Sequence, residues 1–383
     1  MLDDFLPESK RLRALVLLAS LFALSFIEVR ILFAAVKKFG YSQGSLLLIV
    51  LLSTVPLAMT FSYSSLLRLI NEGPISEERS RLVPYDEFIE EYSDRITITE
   101  TDVGRLDIVE ELSLLKDAKE IRVNVTPKLY DPTVIKELLG GARMSLEEDI
   151  KRKRIATRVP FPIRVTSRND EEINAERVPY HYAYAIHYSP DFVISDHANV
   201  RVRDALRPLL YKGEVLRPLE ESPLPNHLGV QILAFTKDGY AVLLKRGGEG
   251  MVAARYALSV IEGTVETRGI DRLSYTLHEL AMQEIEEEIG VNECELYAIS
   301  YYRSPRILGR PSIALIGLLN ATSEELRPSW EGEIVLVKVA DRVESLEDLK
   351  RIDMGGLIEK AREGSPTLKR LVVKLKRIRE SSL

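Results

Sequence analysis

The 383-residue sequence predicts an α/β fold of the mixed, α+β kind, built around a mixed β-sheet. Three observations predict it. Short apolar runs bounded by Gly, Asp or Pro recur at Leu228–Thr236, Tyr240–Arg246, Leu258–Ile261, Leu296–Tyr302, Ile313–Leu319 and Ile334–Val339, as strands require. Between them, Leu277 to Val291 changes to helical period, with Leu277, Ala281, Ile285 and Ile289 in an i+4 stripe. The start of the chain differs from both, with two long apolar segments ahead of any such pattern.

Of these segments, Leu46–Tyr63 is almost wholly apolar and with its flanks reaches the roughly 20 residues that a bilayer-spanning helix needs. Ala14–Val36 is about 34 Å long as a helix, yet holds Glu28 and Arg30. Either it spans with these charges snorkelling or facing a partner helix, or only Ala14–Ile27 enters the bilayer. The apolar run resumes at Ile31–Val36 and Lys37-Lys38 ends it, which favours a two-helix transmembrane hairpin. A cleaved signal fits poorly, because a second apolar span follows at once. Lys10, Arg11 and Arg13 before the first segment and Arg68, Arg79 and Arg81 after the second outnumber Lys37 and Lys38 between them. Both ends are then cytoplasmic, and the expectation is a multi-pass protein of the cell membrane, in contact with the lipid bilayer, whose soluble portion is cytoplasmic.

The expected division is residues 1–72 as membrane region, 73–158 as a small α/β region and 159–383 as the main domain. Within 73–158, Tyr85–Tyr92 reads as helix, Arg95–Thr99 as extended, Leu106–Leu115 as helix and Glu120–Val125 as an alternating strand. Asp131-Pro132 opens a further helix closed by Gly140-Gly141. No chemistry is visible in this stretch.

A net charge of −6 gives no general affinity for nucleic acid, and Lys151–Arg154 is a single basic cluster. Cys294 is the sole cysteine, which excludes an intrachain disulfide and suits a reducing compartment. His181, His187, His197 and His227 match no zinc spacing. Gly247-Gly248-Glu249-Gly250 reads as a turn rather than a phosphate cradle.

Glu284, Glu287 and Glu288 stand at i, i+3 and i+4 of the helix and so share one face, which Gly290 terminates. Such a face is either simply solvated or a seat for a hard divalent cation, which takes oxygen ligands. The string Glu284-Ile-Glu-Glu-Glu-Ile-Gly-Val291 resembles the second half of the Nudix box of the Nudix hydrolases, with every fixed position from Glu284 onward matched. Two departures stand out. Gln283 occupies the place of the family's Arg and supplies no charge to orient the carboxylates. Without gaps Gly269 takes the box Gly position and Tyr275 falls on the expected Glu. Placing Glu262-Gly263-Thr264-Val265-Glu266 at the strand-end turn instead requires an insertion of six residues, the offset from Gly263 to Gly269. The second alignment is preferred, because it puts Gly263 at a tight turn after an apolar strand and leaves the insertion in a loop. The hairpin over Lys237-Asp238-Gly239 ahead of the box agrees with the order of elements in that family.

The resemblance implies a Nudix-type α/β/α sandwich and a pyrophosphohydrolase acting on the phosphoric anhydride bond of a nucleoside diphosphate linked to another moiety. It implies Mg²⁺, with Mn²⁺ as substitute, held by Glu284, Glu287 and Glu288. Glu287 and Glu288, or Glu331 and Glu333 from a later loop, would act on the attacking water. Gly263, Glu266, Lys245, Arg246 and Arg303 are the expected substrate-binding residues, and a homodimer is open. Two alternatives remain: a nucleotide-binding sensor without useful turnover, for which Gln283 speaks, and a scaffold whose acidic helix is only a solvated face.

Overall fold

The computed structural model describes residues 83–135, 161–179, 200–246, 258–267, 272–328 and 332–380, with single residues between 182 and 194. The chain divides into two units, Met1–Arg79 and Ser80–Leu383, and the description below is of the second. The apolar segments 14–36 and 46–63, which carry the expected hairpin, lie outside the described residues. Among those residues no helix is long and apolar enough to cross a membrane. The longest described helix, Pro366–Glu380, has 15 residues, fewer than a span needs. The expected multi-pass membrane localisation is accordingly withdrawn.

Strand and helix periods sort the second unit into layers. Thirteen segments matter for the site, and they are labelled in chain order: strands β1 (Val109–Asp117), β2 (Arg122–Leu129), β3 (Phe161–Arg168), β4 (Glu172–Arg177), β5 (Gly229–Phe235), β6 (Tyr240–Arg246), β7 (Leu258–Ser259), β8 (Ile261–Thr264), β9 (Glu266–Thr267), β10 (Ser274–Thr276), β11 (Cys294–Ser304), β12 (Arg310–Leu319) and β13 (Gly332–Lys338). The helices used below are α1 (Tyr85–Tyr92), α2 (Val202–Leu210), α3 (Leu277–Ile289), α4 (Gly355–Glu363) and α5 (Pro366–Glu380).

The larger sheet has eight strands, in the order β7-β6-β5-β12-β11-β1, with β8 on β5 and β13 on β6. It is mixed: β5 runs parallel to β12, whereas β6, β8 and β11 pair antiparallel. β5 is buried at every position, as expected of a central strand covered on both faces. It changes partner along its length. Gly229–Ile232 pair with β8, and Ala234 and Phe235 pair with β6. Asp238-Gly239 makes the expected hairpin turn, with Gly239 at φ 78°.

Side-chain alternation then assigns each face. Val230, Ile232, Ala234, Val242 and Leu244 pack against Leu277, Leu280, Ala281, Ile285 and Ile289 of α3. Leu233, Phe235, Ala241 and Leu243 pack against Leu357, Ala361, Leu368, Leu371 and Leu375 of α4 and α5. The result is a mixed α+β architecture with helices on both faces of a mixed sheet. A second, five-stranded sheet in the order β9-β3-β4-β2-β10 closes the α3 side, and its Val123, Val125, Ile163, Val165, Ile173 and Ala175 join the same core.

Residues 106–115 are not the expected helix. Leu106 ends one short strand, and Val109–Asp117 is β1, antiparallel to β11. The leucines of Glu-Leu-Ser-Leu-Leu satisfy both periods over so short a run, and the unpaired edge of β11 decides for strand. The stretch expected to stand apart between 73 and 158 is also interwoven with later chain: β1 completes the larger sheet, while β2 pairs with β4 and β10 in the smaller one.

Candidate functional site

The acidic helix is fixed at both ends before any tertiary contact is considered. Thr276 and Glu279 form a reciprocal capping box, the Thr276 N–H donating to the Glu279 carboxylate at 2.8 Å. Arg272 adds two bonds to that carboxylate, at 2.7 and 2.8 Å. At the other end Gly290 takes φ 72°, the left-handed cap that Gly accepts at little cost. The apolar stripe holds the helix on the core. Its three carboxylates therefore meet different surroundings: Glu288 is buried at 5% exposure, Glu284 is half-buried and Glu287 is exposed.

Two strands bring their ends to this face. β8 belongs to the larger sheet and β9 to the smaller, with only Val265 between them, so Gly263 to Glu266 form the corner where the chain changes sheets. Gly263 lies directly beneath Glu284. A Cβ built on Gly263 would lie 2.0 Å from Glu284 Oε2, so any other residue there would force the Glu284 carboxylate to move. Glu266, at the far side of the corner, is half-buried and senses Glu287. Burial, reinforced by the Glu287 charge, pushes its carboxyl up to about 7. A carboxyl that is largely desolvated and feels a second negative charge retains its proton to higher pH in this way. The glycine turn and Glu266, expected as substrate contacts, thus stand with Glu284 and Glu287 in one acidic group.

A buried guanidinium supports the corner from the other side. Arg310, the first residue of β12, donates from Nη2 to the Gly263 carbonyl at 3.2 Å and to Thr264 Oγ1 at 2.9 Å, and from Nε to the His227 carbonyl at 3.3 Å. Gly229 leaves room for it, because a Cβ there would meet Arg310 Nη2 at 2.9 Å. His227 stacks edge-on against His187, ring centroids 5.7 Å apart, and the preceding Asn226 is buried at φ 31°. Burial drives His187 down to about 3, with the Arg310 charge acting in the same direction, so this imidazole stays neutral near the guanidinium. Nothing in the local sequence marks Arg310, which sits in a stretch readable only as a Pro/Gly/Arg-rich loop. The register of β11 and β12 places it.

Other expected residues are not brought to the acidic group. Lys245 and Glu333 are cross-strand neighbours on β6 and β13, with Nζ and Oε2 3.8 Å apart and exposures of 49% and 79%. They lie two residues from Leu243 and Val335, which pack toward α4 and α5, so strand alternation turns both away from α3. Arg303 is buried and donates to the Arg217 carbonyl at 2.7 Å, which commits it to that loop. Arg246 pairs through its backbone with Gly332, and Glu331 lies outside the described residues.

The donor set suits a hard cation. Glu266, Glu284, Glu287 and Glu288 offer oxygen only, and the mutual repulsion of Glu266 and Glu287 is what a divalent ion would relieve. Among the described residues no three His, Cys, Asp or Glu side chains form a preassembled cage. Mg²⁺ does not require one, since it commonly takes one or two carboxylates and completes its shell with water and substrate phosphate.

No family model and no curated protein matches this chain. Solved structures resemble part of it. A MutT protein from Methanosarcina mazei Go1 is 16% identical with a TM-score of 0.24, covering 39% of this chain and 93% of that one. A hydrolase of the Nudix family from Clostridium perfringens is 16% identical with a TM-score of 0.24, covering 41% and 97%. The Nudix domain of Shewanella oneidensis NrtR, solved with ADP ribose, is 14% identical with a TM-score of 0.20, covering 40% and 92%. The chain is thus similar over part of its length to Nudix proteins, at TM-scores of 0.20–0.24 that carry no argument, and its function must be argued from the acidic corner itself.

Proposed function

We propose that this chain is a Mg²⁺- or Mn²⁺-dependent pyrophosphohydrolase acting on a nucleoside diphosphate linked to another moiety. The observation that carries the reading is the approach of the Gly263 turn to the Glu284 carboxylate, with Glu266 at the far side of that turn within reach of the Glu287 charge. Repelling carboxylates are costly to hold together, and a site that binds a divalent cation turns that cost to use.

Glu284, Glu287 and Glu288 are the proposed metal donors. When bound, the ion supplies neutralisation of the diphosphate charge and a lowered pKa for an adjacent water. Glu266, poised near neutral pH, is suited to accept a proton from that water, a role in which a base works best when its pKa lies near the working pH. Gly263 presents its backbone to the site without a side chain, and the space so left is where the Glu284 carboxylate lies.

Incubation of the full-length chain with Mg²⁺ and a panel of nucleoside diphosphate compounds, ADP-ribose among them, tests the reading. Turnover that Glu287→Gln and Glu266→Gln abolish supports it. Tight binding of a panel member with no turnover instead supports a nucleotide sensor, a second reading favoured by the uncharged Gln283. Neither binding nor turnover across the panel removes both.

A further inference from the structure

The acidic helix carries no Lys or Arg of its own: its sequence is Leu-His-Glu-Leu-Ala-Met-Gln-Glu-Ile-Glu-Glu-Glu-Ile. Any cation that organises its carboxylates must therefore come from another element. Arg310 comes from β12, across the sheet, and the residue is only 8% exposed. Burying a guanidinium is expensive unless hydrogen bonds hold it in place. Here they hold it on the peptide against which the Glu284 carboxylate lies, through the Gly263 carbonyl, with Thr264 Oγ1 and the His227 carbonyl as further acceptors.

We infer that Arg310 is a positioning residue for the acidic site, acting through the Gly263–Thr264 turn rather than on substrate. The chain is direct. The guanidinium grips the carbonyl of Gly263, Gly263 presents its bare Cα to the Glu284 carboxylate, and Glu284 is one of the proposed metal donors. Gly229 belongs to the same device, since a Cβ there would stand 2.9 Å from Arg310 Nη2 and make the guanidinium shift. A rigid planar fork can bridge backbone and hydroxyl acceptors at once, which an ammonium does less well.

The inference rests on the proposed metal-dependent reading, and its test separates the two. In the full-length chain, Mn²⁺ affinity is measured by electron paramagnetic resonance, and hydrogen–deuterium exchange is followed across residues 258–267. Arg310→Met is expected to bind Mn²⁺ roughly 10–100-fold more weakly, the usual effect of losing an outer-shell partner. Exchange should quicken at residues 261–266 while the rest of the protein is unchanged, with Arg310→Lys intermediate. Gly229→Ala keeps the guanidinium but displaces it, and should reproduce the Arg310→Met behaviour. If Arg310→Met does not fold, Thr264→Val, which removes one acceptor alone, should give the same local signature at smaller amplitude. Wild-type Mn²⁺ affinity and wild-type exchange at 261–266 in these variants would overturn the inference. Failure of the parent protein to bind Mn²⁺ removes the metal-dependent reading, and the exchange data then decide the positioning role by themselves.

Discussion

The two sides of the larger sheet each shelter a carboxylate, one fully buried and one half-buried, and they treat it in opposite ways. On the α5 side Asp107 is fully buried, and burial by itself would raise its pKa. The charge of Arg370 and hydrogen bonds from Ser304, Arg306 and Tyr85 overcome that and hold it below the ordinary carboxylate range. Its oxygens accept from Tyr85 Oη at 2.9 Å, Ser304 Oγ at 2.7 Å, the Arg306 N–H at 3.0 Å and Arg370 Nη2 at 2.7 Å. On the α3 side Glu266 is less buried, yet its carboxyl is raised to about 7, because burial acts there with no compensating hydrogen bond or cation among its causes and the Glu287 charge pushes the same way. A satisfied acid holds three chain segments together. One that is buried beside a like charge keeps its proton instead.

The largest effect should come from breaking the satisfied side. Asp107→Ala leaves Arg370 charged in the interior, at a cost of about 3–5 kcal/mol readable as a shift of the urea unfolding midpoint. Asp107→Ala combined with Arg370→Met should restore part of it. The same pair predicts acid sensitivity. Because the folded-state pKa of Asp107 is depressed, its contribution is present above the unfolded-state value near 4 and is lost as pH falls through the lower folded value.

Removing the repulsion on the other face should act on binding rather than on folding. Glu287→Gln is expected to weaken Mn²⁺ binding by roughly 10–100-fold and to return the Glu266 carboxyl toward its ordinary 4.5, which carboxyl NMR titration would follow. If Glu266 still titrates near 7 in that variant, burial alone explains its shift and the acidic group loses its electrostatic coupling.

A pH series sharpens the contrast further. A carboxyl whose folded-state pKa is raised favours the fold while protonated, so its contribution is full below about 4.5 and is lost as pH rises through about 7, opposite in sign to Asp107. Glu266→Gln should remove that loss and leave the metal-free protein more stable above pH 7, by on the order of 1 kcal/mol after solvent screening. Mn²⁺ affinity in the parent protein should rise between pH 6 and 8 as the proton leaves, and this rise should flatten in the variant.

The smallest effect is expected at Lys245 and Glu333, whose exposed pair faces away from α3. Lys245→Ala and Glu333→Ala should change stability by about 0.5 kcal/mol or less and leave Mn²⁺ affinity untouched. A tenfold loss of affinity in either would mean that β6 and β13 contribute to the site after all.

Much of this architecture is written locally. The helix 277–289 carries its own capping box, apolar stripe and terminal glycine, and the hairpin at 228–246 carries its Asp-Gly turn, so near neighbours in sequence specify both. Residues 106–115 were misleading for the complementary reason: a run of five residues fits two periods, and the choice fell to an edge 180 residues away in the chain, at β11. Lys245, in a strand, and Glu333, just ahead of one, are site residues by resemblance alone, but the face to which a strand residue points depends on which side of the sheet its neighbours pack.

The sequence by itself determined that three glutamates share a helix face and that a glycine turn precedes them, because helix period and backbone permissiveness are short-range properties. The tertiary structure alone decided that Gly263 meets Glu284, that Glu266 comes within reach of the Glu287 charge and that Arg310 arrives from another strand. Those meetings depend on a chain that crosses from one sheet to the other at a single residue, and sheet register is set by packing over the whole core rather than by any local signal.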